Sequence, residues 1–119
     1  MSKARLNKRQ LFKHYQIYLS TNVASHSSLL RIVEANGGEA RIVSHTIKAR
    51  AKVLRSDYLK TAENQILISS SAKDDKFLQG KFMEEVEEGE LKGAIYSSEW
   101  IMRSVLRQEI ADDEDICLG

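Results

Sequence analysis

Three histidines, one cysteine and a set of serines are the side chains here with the chemistry of ligands or nucleophiles. His14, His26 and His45 share no metal-ligand spacing with Cys117 or with a pair of carboxylates. No serine lies in the G-x-S-x-G elbow that presents a nucleophile to a histidine. Cys117 is alone, which rules out an internal disulfide and a four-thiolate zinc site and suits a reducing compartment, cytosol or nucleus. The acidic residues cluster at Glu84, Glu85, Glu87 and Glu88, and again at Asp112 to Asp115, where solvated helix positions or a tail explain them. The sequence therefore predicts no catalytic residue, no metal and no cofactor. What the chain binds becomes the question.

Charge gives the first pointer. The net charge of +1 conceals an asymmetry: residues 1–60 carry 12 Lys and Arg against 3 Asp and Glu, and residues 61–119 carry 6 against 14. Either the two halves attract each other across the fold, or the first half offers a basic face to an acidic partner such as a phosphopeptide or nucleic acid. Arg41, Lys48, Arg50, Lys52 and Arg55 are the candidates for neutralising nucleic-acid phosphates. Tyr58 is the one aromatic interleaved with them, so base stacking has little support, and a solvated loop is the simpler reading. No apolar run reaches the ~20 residues a membrane helix requires. The basic N-terminus lacks the apolar segment of a secretory signal.

These residues must be positioned by elements that the pattern makes legible. With 119 residues the chain suits one domain. Residues 1–14 read as a basic linker docking through Leu6, Leu11 and Phe12. Tyr15-Gln16-Ile17-Tyr18-Leu19 reads as a strand. Ser25, Ser27 and Ser28 are candidate caps for a helix whose Leu29, Ile32, Val33 and Asn36 follow helical spacing, with Leu30 widening the stripe. Gly37-Gly38 stops it, and the short path into Ala40-Arg41-Ile42-Val43 implies a parallel strand pair. Residues 44–64 show no clean period and read as a long basic loop. Gln65-Ile66-Leu67-Ile68-Ser69 is the most apolar strand. A helix within Lys73 to Glu88 is expected to bury Phe77, Leu78, Lys81, Phe82 and Val86, to face its glutamates to water and to end at Gly89. Gly93-Ala94-Ile95-Tyr96 is a fourth strand, and Ser97 or Ser98 is expected to cap the last helix, with Glu99 suiting the dipole of its first turn. That helix carries two stripes, Trp100-Ile101-Val105 and Met102-Leu106-Ile110. One fills the core. The other meets a partner, or is clamped by the flanking N-terminal segment.

In this order, Ile17-Tyr18-Leu19-Ser20, Asn36-Gly37-Gly38-Glu39-Ala40, Ile66-Leu67-Ile68-Ser69 and Ala94-Ile95-Tyr96-Ser97-Ser98-Glu99-Trp100-Ile101 resemble the BRCT domain over residues 15–110. The resemblance implies an α/β fold: a four-stranded parallel sheet with two helices on one face and one on the other. It leaves residues 111–119 as an acidic C-terminal tail. A narrower likeness is carried by Leu11 to Ser20, Ile32 to Gly38, Phe82-Met83-Glu84-Glu85-Val86 and Arg107-Gln108-Glu109-Ile110. These are similar to the last BRCT repeat of the fungal multi-BRCT DNA-damage scaffold. That likeness implies a nuclear, non-enzymatic interaction module, the second of a tandem pair that reads a phosphorylated histone tail of the 2A type. The partners implied are a preceding BRCT domain, that tail and other DNA-repair proteins, with no membrane; the alternatives are a BRCT domain that binds nucleic acid through the basic 41–60 segment and a protein–protein module with no phospho-dependence.

The resemblance also assigns site residues. In such pairs a Ser or Thr after the first strand and a Lys of the second helix hold the phosphate by charge-assisted hydrogen bonds. The matching positions are Ser20, Thr21 and Lys81, although Thr21 stands where the family has glycine. The plain alternative is that Ser20 and Thr21 satisfy local backbone groups. A second domain is expected instead to line the groove for residues after the phosphorylated one, here through Asn22, Ser25, His26, Ser97, Ser98, Glu99 and Met102. Leu30 and the Met102-Leu106-Ile110 stripe are the expected surface for the preceding domain. Gly37, Gly38 and Trp100 define the fold.

Overall fold

The structure, a computed structural model, describes residues 11–54, 64–70, 73–111 and 118. Expectations for residues 1–10, for Arg55 and Tyr58, and for the tail with Cys117 lie outside them. Four strands form one sheet: β1 (Tyr15–Ser20), β2 (Glu39–Val43), β3 (Asn64–Ile68) and β4 (Lys92–Tyr96). Their spatial order is β2-β1-β3-β4, and every neighbouring pair is parallel. The helices are α1 (His26–Ala35), α2 (Lys76–Glu88, entered through a 3₁₀ turn Lys73–Asp75) and α3 (Glu99–Arg107). Parallel strands covered on both faces read as continuous apolar runs rather than alternating ones, as β1 and β3 do.

Alternation along β1 and β3 sorts the core into two clusters. Ile17, Leu19, Ile66 and Ile68 point to the face covered by Leu29 and Val33 of α1 and by Trp100 and Ile101 of α3. Tyr18 and Leu67 point to the other face, against Leu78, Phe82 and Val86 of α2. This is the two-plus-one helix arrangement expected of the resemblance.

The Gly37-Gly38 pair does two separate jobs. Gly37 takes φ 84°, a left-handed conformation that only glycine adopts cheaply. Its N–H and that of Gly38 donate to the carbonyls of Glu34 and Val33, the double bond pattern that closes a helix C-terminus. Gly38 is instead a matter of space. A Cβ there would stand 2.6 Å from Phe12 Cβ and 2.8 Å from a Val33 methyl. Phe12 is fully buried at this point and donates its N–H to the Asn36 carbonyl, so the segment before β1 is stapled to the end of α1.

Trp100 is the matching anchor for α3. It is fully buried, stacks on Tyr96 with centroids 5.2 Å apart, and tilts against Phe12 and Tyr15. Its indole N–H donates to the Ala111 carbonyl at 2.8 Å, and Ala111 N–H donates to Ser104 Oγ. The chain leaving α3 is thereby folded back over its own helix.

Four expectations need correction. α3 stops at Arg107 because Gln108 turns left-handed at φ 55°, so Ile110 leaves the Met102-Leu106 stripe and packs half-buried on the α1–α3 cluster. Phe77 is 52% exposed, since it lies on the outer side of α2. Neither Ser25 nor Ser98 caps its helix through its side chain. Glu85 does not face water: its carboxylate accepts the N–H groups of Val53 and Leu54 at 2.9–3.1 Å, and Lys81 Nζ donates to the Ala49 carbonyl. Val53 and Leu54 are buried in the α2-side core, so the basic segment is pinned to α2 as far as it is described. At the other border of the sheet, Leu118 donates its N–H to the Ile95 carbonyl at 2.8 Å.

Candidate functional site: a serine-lined cleft at the C-terminal ends of the strands

Open parallel sheets present their loops, and their binding crevices, at the carboxyl ends of the strands. There β1 delivers Ser20, Thr21 and Asn22, β3 delivers Ser69 and Ser70, and β4 delivers Ser97 and Ser98. Asn22, Val23, Ala24, Ser69, Ser70, Ser97, Ser98 and Leu118 line a shallow cleft of about 340 Å³. Ser97 and Ser98 are half-buried there rather than spent as side-chain caps.

The floor of this region is a buried carboxylate. Asp75, fully buried at the start of α2, accepts the Ser20 hydroxyl at 2.9 Å and the Asn22 amide at 2.7 Å on one oxygen. The other oxygen accepts the Ser69 hydroxyl and the Ser70 N–H. Burial by itself pushes the carboxyl up, but the Ser69, Ser70, Ser20 and Asn22 donors outweigh it and hold Asp75 below the usual carboxylate range. Gln79 adds bonds from its amide to Ser69 Oγ and the Ser70 carbonyl, and Asn22 N–H donates to Ser20 Oγ. A serine hydroxyl carries one hydrogen. That of Ser20 is committed to Asp75.

The phosphate trio named from the resemblance is not brought together. Ser20 is buried against Asp75. Thr21 pairs through Oγ1 with His45 Nδ1 at 2.7 Å and accepts the His45 N–H. Lys81 turns toward Ala49 and Glu85, at a separate cleft on α2. Of the groove residues, Asn22, Ser97 and Ser98 meet in the serine-lined cleft. Ser25 and His26 follow at the start of α1, where His26 Nδ1–H donates to the Val23 carbonyl. Glu99 is paired with Arg103 at 2.8 Å, and Met102 stands 41% exposed on α3. Sequence reasoning missed Asp75, Ser69, Ser70 and Gln79. Its one available signal was an unbroken polar run, Ser69-Ser70-Ser71, following the most apolar strand. Among the described residues no group of three or more His, Cys, Asp or Glu is placed to hold a metal ion.

The family model of the BRCT domain matches residues 10–116. The chain belongs to the BRCT family, whose domains are protein-interaction modules of DNA damage response and repair. No curated protein matches its sequence. Among solved structures it is similar to the C-terminal BRCT domain of human XRCC1, at 15% identity over 92% of this chain and 94% of that one, with a TM-score of 0.55. The BRCT domain of human REV1 is similar at 15% identity over 92% and 89%, with a TM-score of 0.50. The BRCT5-BRCT6 chain of S. pombe Brc1 is similar at 21% identity and a TM-score of 0.56; 92% of this chain is covered but only 49% of that one. This chain thus spans about half the length of the two-domain Brc1 chain. Identities this low establish the shared fold.

Proposed function

We propose that this domain is the second member of a tandem BRCT pair in the nucleus, and that the pair reads a phosphorylated histone tail of the 2A type. In this reading the preceding domain holds the phosphate. This one supplies Asn22, Ser97 and Ser98, flanked by Ser25, His26, Glu99 and Met102, to the residues that follow it. The observation that carries the reading is Asp75. With the Ser20 hydrogen already given to a buried carboxylate, a phosphate placed on Ser20 would find no donor there. It would also meet like charge, a repulsion of about 4 kcal/mol per pair of unit charges at 4 Å and intermediate dielectric. An uncommitted apolar surface supports the pairing: Met102 and Leu106 are 41% and 80% exposed on one side of α3. Leu30, the other expected contact, is half-buried against the domain's own core.

The test is a titration of phosphorylated and unphosphorylated histone-tail peptides against this domain alone and against a chain that includes a preceding BRCT domain. Phosphate-dependent binding by the longer chain only is expected. Phosphate-dependent binding by this domain alone would overturn the division of labour, and equal binding of both peptide forms would overturn phospho-recognition.

A further inference from the structure

The cleft on the outer side of α2 lies apart from the serine-lined one and takes no part in the reading above. Phe77, Gly80 and Glu84 recur at helical spacing along the exposed side of α2, and Lys76, Lys81 and Ala49 complete a notch of about 490 Å³. Phe77 gives it one apolar wall: half of that side chain is in water, and a Cβ added at Gly80 would meet nothing within 4 Å. An exposed phenylalanine beside a glycine on a helix surface forms a ready socket for one apolar side chain, because the missing Cβ leaves the depression that Phe77 walls. Its rim is basic. Lys76 is exposed, and Lys48 and Arg50, the exposed sequence neighbours of Ala49, project from the segment that Glu85 and Lys81 pin beside the helix. Lys73 stands exposed one turn before Phe77.

We propose that this notch is a second docking site, taken by a short acidic peptide segment that inserts one leucine-sized or aromatic side chain between Phe77 and Gly80. Charge complementarity selects the acidic partner: Lys76 and Lys81 line the notch, and the exposed Lys48 and Arg50 flank its Ala49 in sequence, against Glu84 on the lining. A nucleic-acid backbone fits less well. The exposed Phe77 offers its phosphates neither a hydrogen bond nor a charge.

The experiment is amide-resolved NMR of the whole chain, titrated with a pool of ten-residue acidic peptides each carrying one Leu, Ile, Phe or Trp. The same peptides with serine in that place, and a short DNA duplex, serve as comparison. The expected result is movement of the Ala49, Phe77 and Gly80 resonances with the anchored peptides, at least tenfold weaker with the serine versions. Phe77→Ala should weaken binding tenfold or more. Gly80→Leu should do the same by filling the socket, with the remaining spectrum unchanged because the position is open. No movement at these residues with any anchored peptide would overturn the proposal. So would equal binding of anchored and serine peptides, stronger effects from DNA, or full binding by Gly80→Leu.

Discussion

The two faces of the sheet share apolar packing and differ in what is added to it. On the α1–α3 face the central strands contribute the rows Ile17 with Ile66 and Leu19 with Ile68, and Trp100 closes the layer among three aromatic rings. On the α2 face the same strands contribute Gln16 with Gln65 and Tyr18 with Leu67, and Ser20 and Ser69 sit beneath Asp75. Tyr18 donates to Gln65 Oε1 at 2.8 Å, and the Oε1 of buried Gln16 has no hydrogen-bond partner among the described residues. One face is held by contact area, which pH does not touch. The other has an apolar layer too, Leu67 against Leu78, Phe82 and Val86, and adds donors aimed at carboxylates, Asp75 at the start of α2 and Glu85 near its end.

The contrast can be broken most forcefully at Trp100. Trp100→Ala should cost about 4 kcal/mol of unfolding free energy, equally at pH 7 and pH 4, measured by urea denaturation. An effect below about 1 kcal/mol would remove the indole as the anchor of that face. Asp75→Ala comes next, at about 3 kcal/mol near neutrality, because it leaves buried donors without their acceptor. The sign of its pH dependence follows from its carboxyl lying below the usual value of 3.8. The folded state then binds that proton less readily than the unfolded chain. The contribution is complete above the unfolded value and is lost as pH falls through the folded one. Denaturation midpoints of the parent chain should therefore drop on acidification below about pH 4 more steeply than those of Asp75→Asn. Parallel curves would refute the assignment.

Smaller effects sharpen the comparison. Glu85→Ala should cost about 1 kcal/mol globally while raising amide exchange at Val53 and Leu54 at least tenfold, because the change releases the pinned segment rather than the core. Unchanged exchange there would show that apolar burial alone docks it. The smallest expected effect has the opposite sign. Gln16→Met removes a buried oxygen with no partner among the described residues, gives up only the long 3.4 Å bond from Nε2 to the Ile17 carbonyl and keeps the volume, so it should stabilise by about 0.5 kcal/mol. A loss of 1 kcal/mol or more would mean that the Gln16 amide does work its contacts do not reveal.

The same contrast explains what could be read in advance. The apolar face was legible because its signals are local: unbroken runs in β1 and β3, a glycine pair at a helix end, one late tryptophan. On the other face the buried stripe Leu78, Phe82 and Val86 was legible too, and the carboxylate network was not. In Lys73-Asp74-Asp75-Lys76 nothing nearby distinguishes the buried carboxylate, since the partners that select Asp75 include Ser20 and Asn22, more than fifty residues upstream. Glu85 looks like its neighbours Glu84, Glu87 and Glu88 until the backbone of Val53 arrives beside it. Phe77 has the residue type of a core position, and only the angular setting of α2 turns it outward. The early end of α3 escaped because the left-handed residue there is Gln108, not glycine. For the cleft, the serines at the strand ends were visible as residue types, and their convergence on one carboxylate was not.

The bond from Leu118 to Ile95 has a consequence of its own. The outer border of β4 would otherwise show a bare carbonyl rung to any extended polypeptide that drifts past. At the opposite border, β2 carries Glu39 and Arg41, whose charge discourages such company. A version of the chain clipped before Leu118 would keep its fold yet lose this cover, and should grow stickier in concentrated solution, clumping through its own margin.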